Sequence, residues 1–549
     1  MLDRLLGLET EYAIRFTPAV HFTGDPPSKT FLFGLLREAV RSEVDSRPGR
    51  VLRDEIFTIN GGGFRYEYGP AGAGLLEGGT PECRGPSSTL LYQRAQDRLL
   101  VRAIARAQSA LEARGYFGDL GLIKNCRDAA GNIYGAQENY DAVLATGAPL
   151  LGWRIGIALL TGPALICGAL IWSFFAVSML LLLGTAVAFT GLAFVIRPLR
   201  NTAAYKRMRR DDVQFPLERV YERALNTFSL AMSIPFAWSM RGLVYLFGFR
   251  RTRRWLEPFL VSRPIISGAG TLVEGSLQLS EKALGIYCRV GATSTGRDRG
   301  LIDIGNLVKR LIALVLGDWR GYAGLYSGRQ RLQLGLSDSN MNEVAEYLRI
   351  ATAALVIDMA EADLDDFEPP HLADPLAALA RINRGGDLGE AIAIQRSYCE
   401  LAKRMVASVE TPSLEAAVLV RRWAEVLDQL ERDPSALFGE IDWVTKAVLL
   451  EKAAGENDDV RKKIDLKYHE LGAGYHADLE ARGLVRRLVS DDEIDRAIQE
   501  PPPGSPAIQR SELISENHNI RVSWDKVRVG GRLGNTVGGE VIELDRYRD

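Results

Sequence analysis

The sequence predicts an α+β protein that carries an inserted transmembrane α-hairpin. Two patterns predict the α+β body. Leu5–Ile14 alternates apolar and polar residues as a half-buried strand does, and Phe31–Ser46 and Leu90–Arg114 have the spacing of amphipathic helices. The hairpin is predicted by a run of 42 residues without a charge, Ile155 to Ile196.

This uncharged run has about the length of two membrane crossings. A bilayer core is ~30 Å thick and a helix rises ~1.5 Å per residue, so one crossing needs ~20 residues. We expect transmembrane helices at about 153–173 and 177–197, with the membrane contacted through residues 150–200. Both flanks are basic: Arg154 precedes the run, and the basic residues that follow it are Arg197, Arg200, Lys206, Arg207, Arg209 and Arg210. Basic flanks favour the cytoplasmic side, so we expect a cytoplasm-facing protein anchored in the inner (cell) membrane. The alternative is a hairpin buried in the core of a large soluble domain.

Composition excludes several other classes of protein. The chain has 549 residues, a net charge of −2 and 25% charged residues, so no overall basic field favours nucleic acid. The five cysteines are scattered without a CxxC pair, and the five histidines form no paired motif. A disulfide framework or a zinc site is therefore not expected. Any metal would be held by carboxylates, which suits magnesium.

The chain divides into four predicted parts. Residues 1–146 and 255–475 have mixed α and β patterns and are predicted to form the catalytic body. Residues 147–254 form the inserted membrane segment, and residues 476–549 form a small C-terminal domain. A second apolar patch, Thr227–Met240, is too short to cross a bilayer and is expected to lie in the interface or pack on the hairpin.

Acidic side chains recur on the predicted strands of the first part. Glu9 and Glu11 point to the same face of a strand, where they repel each other unless they are solvated or share a cation. Arg65 and Glu67 share a face of a second predicted strand within residues 60–69, and Glu77 follows on a third. This pattern fits a magnesium–nucleotide site. The alternative is a solvated strand face.

Two further features limit the interpretation. The chain has no GxxxxGK[ST] loop, so it is not a P-loop enzyme. A polar cluster, Lys124–Asp128 followed by Tyr134–Tyr140, fits either a functional site or a hydrogen-bonded turn.

Segments in a fixed order resemble the Pup ligase and depupylase family, which belongs to the carboxylate–amine ligase superfamily. They cover nearly everything outside roughly 147–254. The segments are GLETEY, NGG…YG…E…TPEC, KN…D..GN.YG..ENY, PFLVSRPIISGAG, LSDSNMNEVAEYLRIATAALVIDMAEA, EIDWVTK, KIDLKYHELG and GLVRRLVSDDEIDRAI…PPP.

The resemblance implies a glutamine-synthetase-like fold, with a curved antiparallel sheet packed by helices. It also implies ATP and Mg²⁺ as cofactors. The implied reaction joins the C-terminal glutamate side chain of a Pup-like modifier to lysines of target proteins through an acyl phosphate. The implied partners are that modifier and lysine-bearing targets.

The resemblance also assigns roles to individual residues. Glu9 and Glu77 match the family's magnesium ligands, and Thr80 and Trp443 match its nucleotide contacts. Glu67 falls where the family keeps its catalytic aspartate.

The sequence departs from the family pattern around the second strand. In this register Gly63 stands at the family's nucleotide-binding arginine and Arg65 at its metal-binding tyrosine. A shift by two residues places Arg65 on the arginine and Glu67 on the tyrosine, and leaves Gly69 at the position of the base. The family's histidine in the ENY segment is Gln137 here.

Three activities are compatible with this resemblance. The short interval from Tyr12 to Ile59 favours a ligase. The alternatives are a depupylase or deamidase acting on the same bond and a catalytically degenerate membrane adaptor that binds the modifier. His469, in the KIDLKYHELG segment, is expected to make a structural hydrogen bond rather than to take part in catalysis.

Overall fold

The computed structural model describes residues 1–50, 54–67, 74–128, 131–195, 234–292, 298–314, 317–362, 367–386, 388–409, 413–453, 455–530 and 539–544. The strands are β1 (Leu5–Pro18), β2 (Ser46–Pro48), β3 (Glu55–Thr58), β4 (Gly63–Glu67), β5 (Leu75–Gly79), β6 (Cys83–Arg84), β7 (Gly118–Ile123), β8 (Gln137–Val143), β9 (Thr271–Val273), β10 (Ser276–Gln278), β11 (Cys288–Gly291), β12 (Gly300–Asp303), β13 (Arg329–Leu334), β14 (Ile520–Val522), β15 (Lys526–Val529) and β16 (Glu540–Glu543). The helices are α1 (Lys29–Glu43), α2 (Pro86–Glu112), α3 (Gly147–Val195), α4 (234–246), α5 (Arg250–Ser262), α6 (Pro264–Ser267), α7 (Gly305–Ala313), α8 (Trp319–Ala323), α9 (Glu343–Glu361), α10 (Pro375–Asn383), α11 (Leu388–Ser408), α12 (Leu414–Arg432), α13 (Asp442–Lys452), α14 (Asp458–Lys467), α15 (Tyr475–Ala481), α16 (Asp491–Gln499) and α17 (Ala507–Glu516).

One large sheet forms the body, with the strand order β11-β12-β13-β8-β1-β5-β4-β3-β2 and with β6 and β7 also paired to β1. The strands pair antiparallel, except that β11 and β12 are parallel. The body is therefore a mixed α/β fold with a large, mainly antiparallel sheet and many helices, in agreement with the predicted α+β class.

Helices cover one face of this sheet. Leu8 and Ile14 of β1 are buried on the helix side, in cores shared with α1, α2 and α9. The strand alternates, so Glu9 and Glu11 point to the opposite face. An antiparallel sheet can leave one face open in this way, and that face is available for chemistry.

The predicted hairpin is instead a single helix in the structure. α3 runs unbroken from Gly147 to Val195, and the turn expected between 173 and 177 is not there. The physical reason is local: Ser173–Val177 contains no glycine, proline or asparagine to form a turn, and Pro163 is accommodated within the helix. Residues 196 and 197, the end of the second expected span, lie outside the described residues.

The first part of α3 packs on the body. Trp153 and Ile157 are fully buried, and Ala164 is also buried. Cys167 still packs against this core and Gly168 is buried, whereas Leu170 and Leu180, further along the helix, are exposed. Among the described residues, α3 is the helix long and apolar enough to cross a membrane. Its candidate span is Gly147–Leu181, which contains an 18-residue window with a mean hydropathy of 2.3 and 11% of its residues buried.

The second apolar patch falls partly on α4. Residues 227–233 lie outside the described residues, whereas Phe236, Ala237 and Met240 of α4 are buried in the same core as the base of α3. Glycines at 152 and 156 allow α3 to approach α4, because a side chain there would clash with Phe247 and Leu243. Within the described part of the patch, the structure agrees with packing against the membrane segment.

The C-terminal part is shared between two cores. Ile494 and Ile498 of α16 pack into the core under α2, whereas β14, β15 and β16 form a separate three-stranded sheet. Val522 and Val527 of that sheet pack against Phe57 of β3. The predicted boundary at residue 476 stays a prediction.

Candidate active site

Charged side chains from three neighbouring strands meet on the open face of the sheet. Glu11 on β1 lies directly opposite Glu77 on β5, and Glu77 lies directly opposite Arg65 on β4. Glu9 is diagonal to Glu77, since its direct partner is Gly79. The sheet therefore brings together Glu9, Arg65 and Glu77, which were all predicted to belong to the site.

Arg65 and Glu77 form an ion pair in this site. Arg65 Nη2 lies 2.6 Å from Glu77 Oε2, and the Arg65 Nε lies 3.6 Å from a carboxylate oxygen of Glu67. Burial and the charge of Glu9 raise the pKa of Glu77 to about 8, although Arg65 acts in the opposite direction. Glu77 is therefore a carboxylate whose charge is only partly compensated by the protein.

Glu9 forms an ion pair with Arg331, a residue that the sequence patterns did not identify. Arg331 Nη2 donates to Glu9 Oε1 at 2.5 Å, and Arg331 Nε donates to Asn139 Oδ1 at 2.7 Å. Burial alone would raise the pKa of Glu9, but the guanidinium groups of Arg331 and Arg65 lower it below its ordinary value. Glu9 is thus kept ionised at the centre of the face.

Glu11 adds a third carboxylate to this face. Its Oε2 accepts a hydrogen bond of 2.8 Å from the backbone N–H of Gly135. Burial raises its pKa, and the charge of Glu67 adds to this, against the opposing effect of Lys282. Glu67 itself stands at the end of β4 with a half-exposed side chain (45%).

Thr80 lies beside the site but is tied to the backbone of β1. Leu8 N donates to Thr80 Oγ1 at 3.0 Å, and Thr80 N donates to the carbonyl oxygen of Leu8 at 3.0 Å. The side chain is 4% exposed. In this arrangement the hydroxyl fixes the end of β5 against β1.

Trp443 is packed into the core at the start of α13. Its indole Nε1 donates to the carbonyl oxygen of Ile265 at 3.0 Å, and the residue is 7% exposed. Within the described residues, no hydrogen bond or ion pair joins it to Glu9, Glu77 or Arg65. The structure therefore leaves only a small part of the ring for contact with a nucleotide.

The Lys124–Asp128 segment makes structural contacts. Lys124 Nζ forms a buried ion pair with Asp97 Oδ2 at 2.8 Å, and Asn132 donates twice to Asp128 at 2.8 Å. These contacts agree with the hydrogen-bonded turn that was the alternative interpretation. Gln137 starts β8, opposite Glu9 in register.

The hydrogen bond predicted for the His469 side chain is not present among the described residues. Its ring is fully buried, and neither ring nitrogen has a hydrogen-bond partner among the described residues. Glu281 Oε1 lies 3.9 Å from Nε2, which is too long for a hydrogen bond. Burial lowers the pKa of His469 well below its ordinary value, so the ring is neutral. Its edge-on packing against the ring of Tyr468 holds it in place without the expected hydrogen bond.

The donor set of the open face fits magnesium. Glu9 and Glu77 offer hard oxygen ligands, and the repulsion between them is of the kind that a divalent cation relieves. No three acidic, histidine or cysteine groups among the described residues are close enough to form a closed metal cage. Mg²⁺ usually takes only one or two carboxylates and completes its shell with water and phosphate oxygens. The face therefore fits a magnesium ion shared with a bound phosphate chain.

The mixed α/β body thus presents carboxylates and guanidinium groups together on one sheet face, and these are side-chain groups that bind magnesium and phosphate in proteins. The chain belongs to the Pup-ligase protein family, whose model matches residues 4–528. Among curated relatives, the Pup–protein ligase of Acidimicrobium ferrooxidans is 26% identical, over 97% of this chain and 94% of the relative. The Pup–protein ligase of Mycolicibacterium smegmatis is 24% identical, over 98% of this chain and 96% of the relative.

Two solved structures share the fold. The crystal structure of the complex between the prokaryotic ubiquitin-like protein Pup and its ligase PafA matches with a TM-score of 0.64 at 19% identity, over 99% of this chain and 89% of that chain. The structure of PafA in complex with ADP matches with a TM-score of 0.59 at 19% identity, over 97% of this chain and 94% of that chain.

Proposed function

We propose that this chain is an ATP-dependent ligase. It joins the side-chain carboxylate of the C-terminal glutamate of a Pup-like protein to lysine side chains of other proteins. The observation that carries the proposal is the convergence of Glu9, Glu77, Arg65 and Arg331 on one sheet face of a chain that belongs to the Pup-ligase family. The relatives named as Pup–protein ligases and the fold-related complexes with Pup and with ADP support it.

The reaction consists of two transfers. An oxygen of the modifier's glutamate carboxylate attacks the γ-phosphorus of ATP, and ADP leaves with the electrons of the broken P–O bond. The lysine amine then attacks the carbonyl carbon of the acyl phosphate, inorganic phosphate leaves, and the proton of the amine passes to a base. Phosphorylation is needed because a free carboxylate has no good leaving group.

The open face has groups suited to each part of this chemistry. Glu9 and Glu77 would hold Mg²⁺, which when bound neutralises phosphate oxygens and leaves the γ-phosphorus more electrophilic. Arg65 and Arg331 are cations beside these carboxylates, and guanidinium groups bind phosphate oxygens with paired hydrogen bonds.

The general base and the nucleotide contacts are proposed residue by residue. Glu67 is the proposed base, because its half-exposed carboxylate at the end of β4 can be reached by a lysine from solvent. Thr80 is a proposed nucleotide contact that can still donate its hydroxyl hydrogen, since its Oγ1 acts as an acceptor towards Leu8. Trp443 is a proposed contact through the exposed part of its ring.

The test uses the full chain in detergent with Pup, a lysine-bearing protein, ATP and MgCl₂. The expected result is a conjugate with the mass of an isopeptide adduct. Glu9→Gln is expected to lower the rate by at least ~100-fold, since it removes a preorganised charge at the reacting phosphate. The matched control is Glu456→Gln, which changes an exposed glutamate in the loop between α13 and α14.

Other outcomes identify the alternative functions. Release of Pup from a preformed conjugate, without ligation, would identify a depupylase. Binding of Pup without release of phosphate would identify a membrane adaptor. If the native chain and the E9Q variant form conjugate equally, the proposed site is wrong.

We also propose that the free part of α3, residues Leu165–Val195, inserts into the inner (cell) membrane while the body faces the cytoplasm. This segment, called the arm below, is apolar all round. A helix without a polar face is soluble neither in water nor at an interface, so it belongs in a bilayer or inside a larger core. The basic residues at 197–210 favour anionic lipid headgroups at its end.

The arm must return to the side from which it enters. It leaves the body at Ala164, and the chain rejoins the body at α4, which packs beside the base of α3. A second crossing would have to lie in residues 196–233, whose longest uncharged stretch is 224–233. That stretch is far below the ~20 residues of a crossing. We therefore propose that the arm enters the lipid as one continuous helix and does not cross the bilayer completely, so that the residues after it stay on the side from which it enters.

Flotation with anionic phospholipid vesicles tests the attachment. The full chain is expected to float with the vesicles, and the variant L170R/L180R is expected to stay at the bottom of the gradient, because charge in the lipid is expensive. The matched control L170A/L180A keeps the arm apolar and should still float. If the native chain does not float, the membrane proposal is wrong.

A further inference from the structure

We propose that the target proteins of this ligase are themselves held at the membrane, so that their reactive lysines lie close to the bilayer surface. This inference rests on both the proposed ligase activity and the proposed attachment of the arm. The substrate class is membrane-bound proteins with cytoplasm-facing lysines.

The site and the arm belong to one short stretch of chain. Asn139 on β8 contacts Arg331 at the site, and α3 begins at Gly147. These eight residues span at most about 29 Å when fully extended. From Gly147 to Leu165 the helix adds about 27 Å. The site is therefore at most about 55 Å from the point where the arm begins.

The connection between them is rigid. Trp153 Nε1 donates to the carbonyl oxygen of Leu325 at 2.7 Å, and Arg154 Nε donates to that of Tyr326 at 2.9 Å. The backbone N–H groups of Leu144 and Ala145 both donate to the carbonyl oxygen of Gly328, directly before β13, the strand that carries Arg331. The base of α3 and the residues just after β8 are thus both fixed to the segment that leads into β13.

A second anchor prevents the arm from swinging at its base. α4 packs along the base of α3, and a side chain at Gly152 or Gly156 would clash with it. Phe249 N, just beyond α4, donates to the carbonyl oxygen of Leu144 at 2.6 Å. With the arm in lipid, the distance between the site and the membrane surface is therefore limited.

This geometry favours targets on the same surface. A target bound to the same membrane meets the site at an effective concentration far above its bulk concentration, whereas a cytosolic target meets it only at the bulk value. Below saturation the conjugation rate follows that local concentration. The arm would then select substrates by location, without a dedicated recognition pocket.

The test compares one target in two locations. A His-tagged, lysine-bearing protein is supplied either on vesicles that contain nickel-chelating lipid or with vesicles that lack it, at equal bulk concentration. Both samples contain the full chain, Pup, ATP and MgCl₂. We expect the bound target to be conjugated at least ~10-fold faster.

Matched variants separate the role of the arm from an effect of the vesicles. L170R/L180R is expected to bring the ratio of the two rates to about 1, because the enzyme no longer shares the surface with its target. L414R/V418R changes exposed apolar residues of α12 on the body and should keep the ratio of the native chain.

The outcomes distinguish this inference from the proposals beneath it. Equal rates for the two locations with the native chain would overturn the inference and leave the ligase activity standing. An equally large ratio with L170R/L180R would overturn the role of the arm. No conjugate with either target would instead contradict the proposed ligase activity.

Discussion

Replacing Arg331 by methionine tests whether the guanidinium beside Glu9 positions the site. Arg331 donates to Glu9 Oε1 at 2.5 Å and to Asn139 Oδ1 at 2.7 Å. Methionine keeps an unbranched side chain in the same place and removes the charge and both donors. The change therefore separates the electrostatic role of Arg331 from its packing.

The expected loss of stability is small. A hydrogen bond between charged groups contributes about 1.5–3 kcal/mol when it is shielded from water. The Arg331 and Glu9 side chains are 35% and 26% exposed, so screening by solvent reduces this to about 1 kcal/mol. In a protein of this length the melting temperature should fall by no more than about 2 °C.

The expected loss of activity is much larger. Arg331 is the nearest group that lowers the pKa of Glu9 against the effect of burial, so the variant raises that pKa and favours the protonated, uncharged carboxyl. A protonated carboxyl is a poor magnesium ligand. Together with the lost cation beside the phosphates, this should lower the initial conjugation rate by about 100- to 1,000-fold.

The matched control is Arg329→Met, two residues earlier on the same strand. Arg329 pairs with Asp141 at 2.7 Å, its side chain is 42% exposed, and it does not contact Glu9. Conjugation rates and thermal unfolding are measured for both variants. The reasoning is refuted if the R331M rate stays within about 3-fold of the R329M rate. A melting temperature lowered by ~10 °C would show instead that R331M acts through the fold.

Three further predictions concern groups outside the open face. Burial raises the pKa of Glu281 to about 8. Below that pH the native state keeps a proton on Glu281 that the unfolded chain has already lost. The free energy of unfolding therefore falls as the pH rises towards 8. In urea titrations, the free energy of unfolding of the Glu281→Gln variant should depend less on pH between about pH 5 and pH 8. Trp153→Ala should lower the free energy of unfolding by about 3–5 kcal/mol, whereas Trp172→Ala, on the arm, should change it in detergent by less than about 0.5 kcal/mol. Asp465→Asn should lower the free energy of unfolding by about 3–5 kcal/mol in urea titrations, because it removes the nearest ion-pair partner of the buried Lys446, at 2.8 Å. For Trp153→Ala or Asp465→Asn, a free energy of unfolding close to that of the native chain would contradict the prediction.

Local patterns predicted one half of the site. Alternation along β1 places Glu9 and Glu11 on one face, and the spacing of Arg65 and Glu77 places them on strands that follow closely in sequence. Arg331 could not be found in this way, because β13 joins the site only through the order of strands across the whole sheet. Alternation in the segment RQRLQL is a signal for a strand, but it does not identify the neighbouring strand.

The sequence overestimates the length of the membrane segment for a related reason. Counting uncharged residues assigns all of Ile155–Ile196 to lipid, although Ile157 and Ala164 are buried against the body. A helix that is apolar all round looks the same whether protein or lipid covers it. Only the tertiary contacts of Trp153 and its neighbours show where the body ends and the arm begins.

Removal of the arm together with the segment that follows it, residues 165–233, is the sharpest test of that boundary. α3 and α4 run antiparallel, since Gly152 approaches Phe247 and Gly156 approaches Leu243; continued along both helices, this register places Ala164 beside residue 235. A linker of about four residues in place of 165–233 can therefore close a tight helical hairpin. Because the arm stands clear of the body, the shortened chain should be soluble without detergent and keep its free energy of unfolding within about 1 kcal/mol of the full chain. It should still conjugate a soluble target. Aggregation of the shortened chain, or loss of conjugation, would show that the arm completes the fold of the body and is not a separable membrane element.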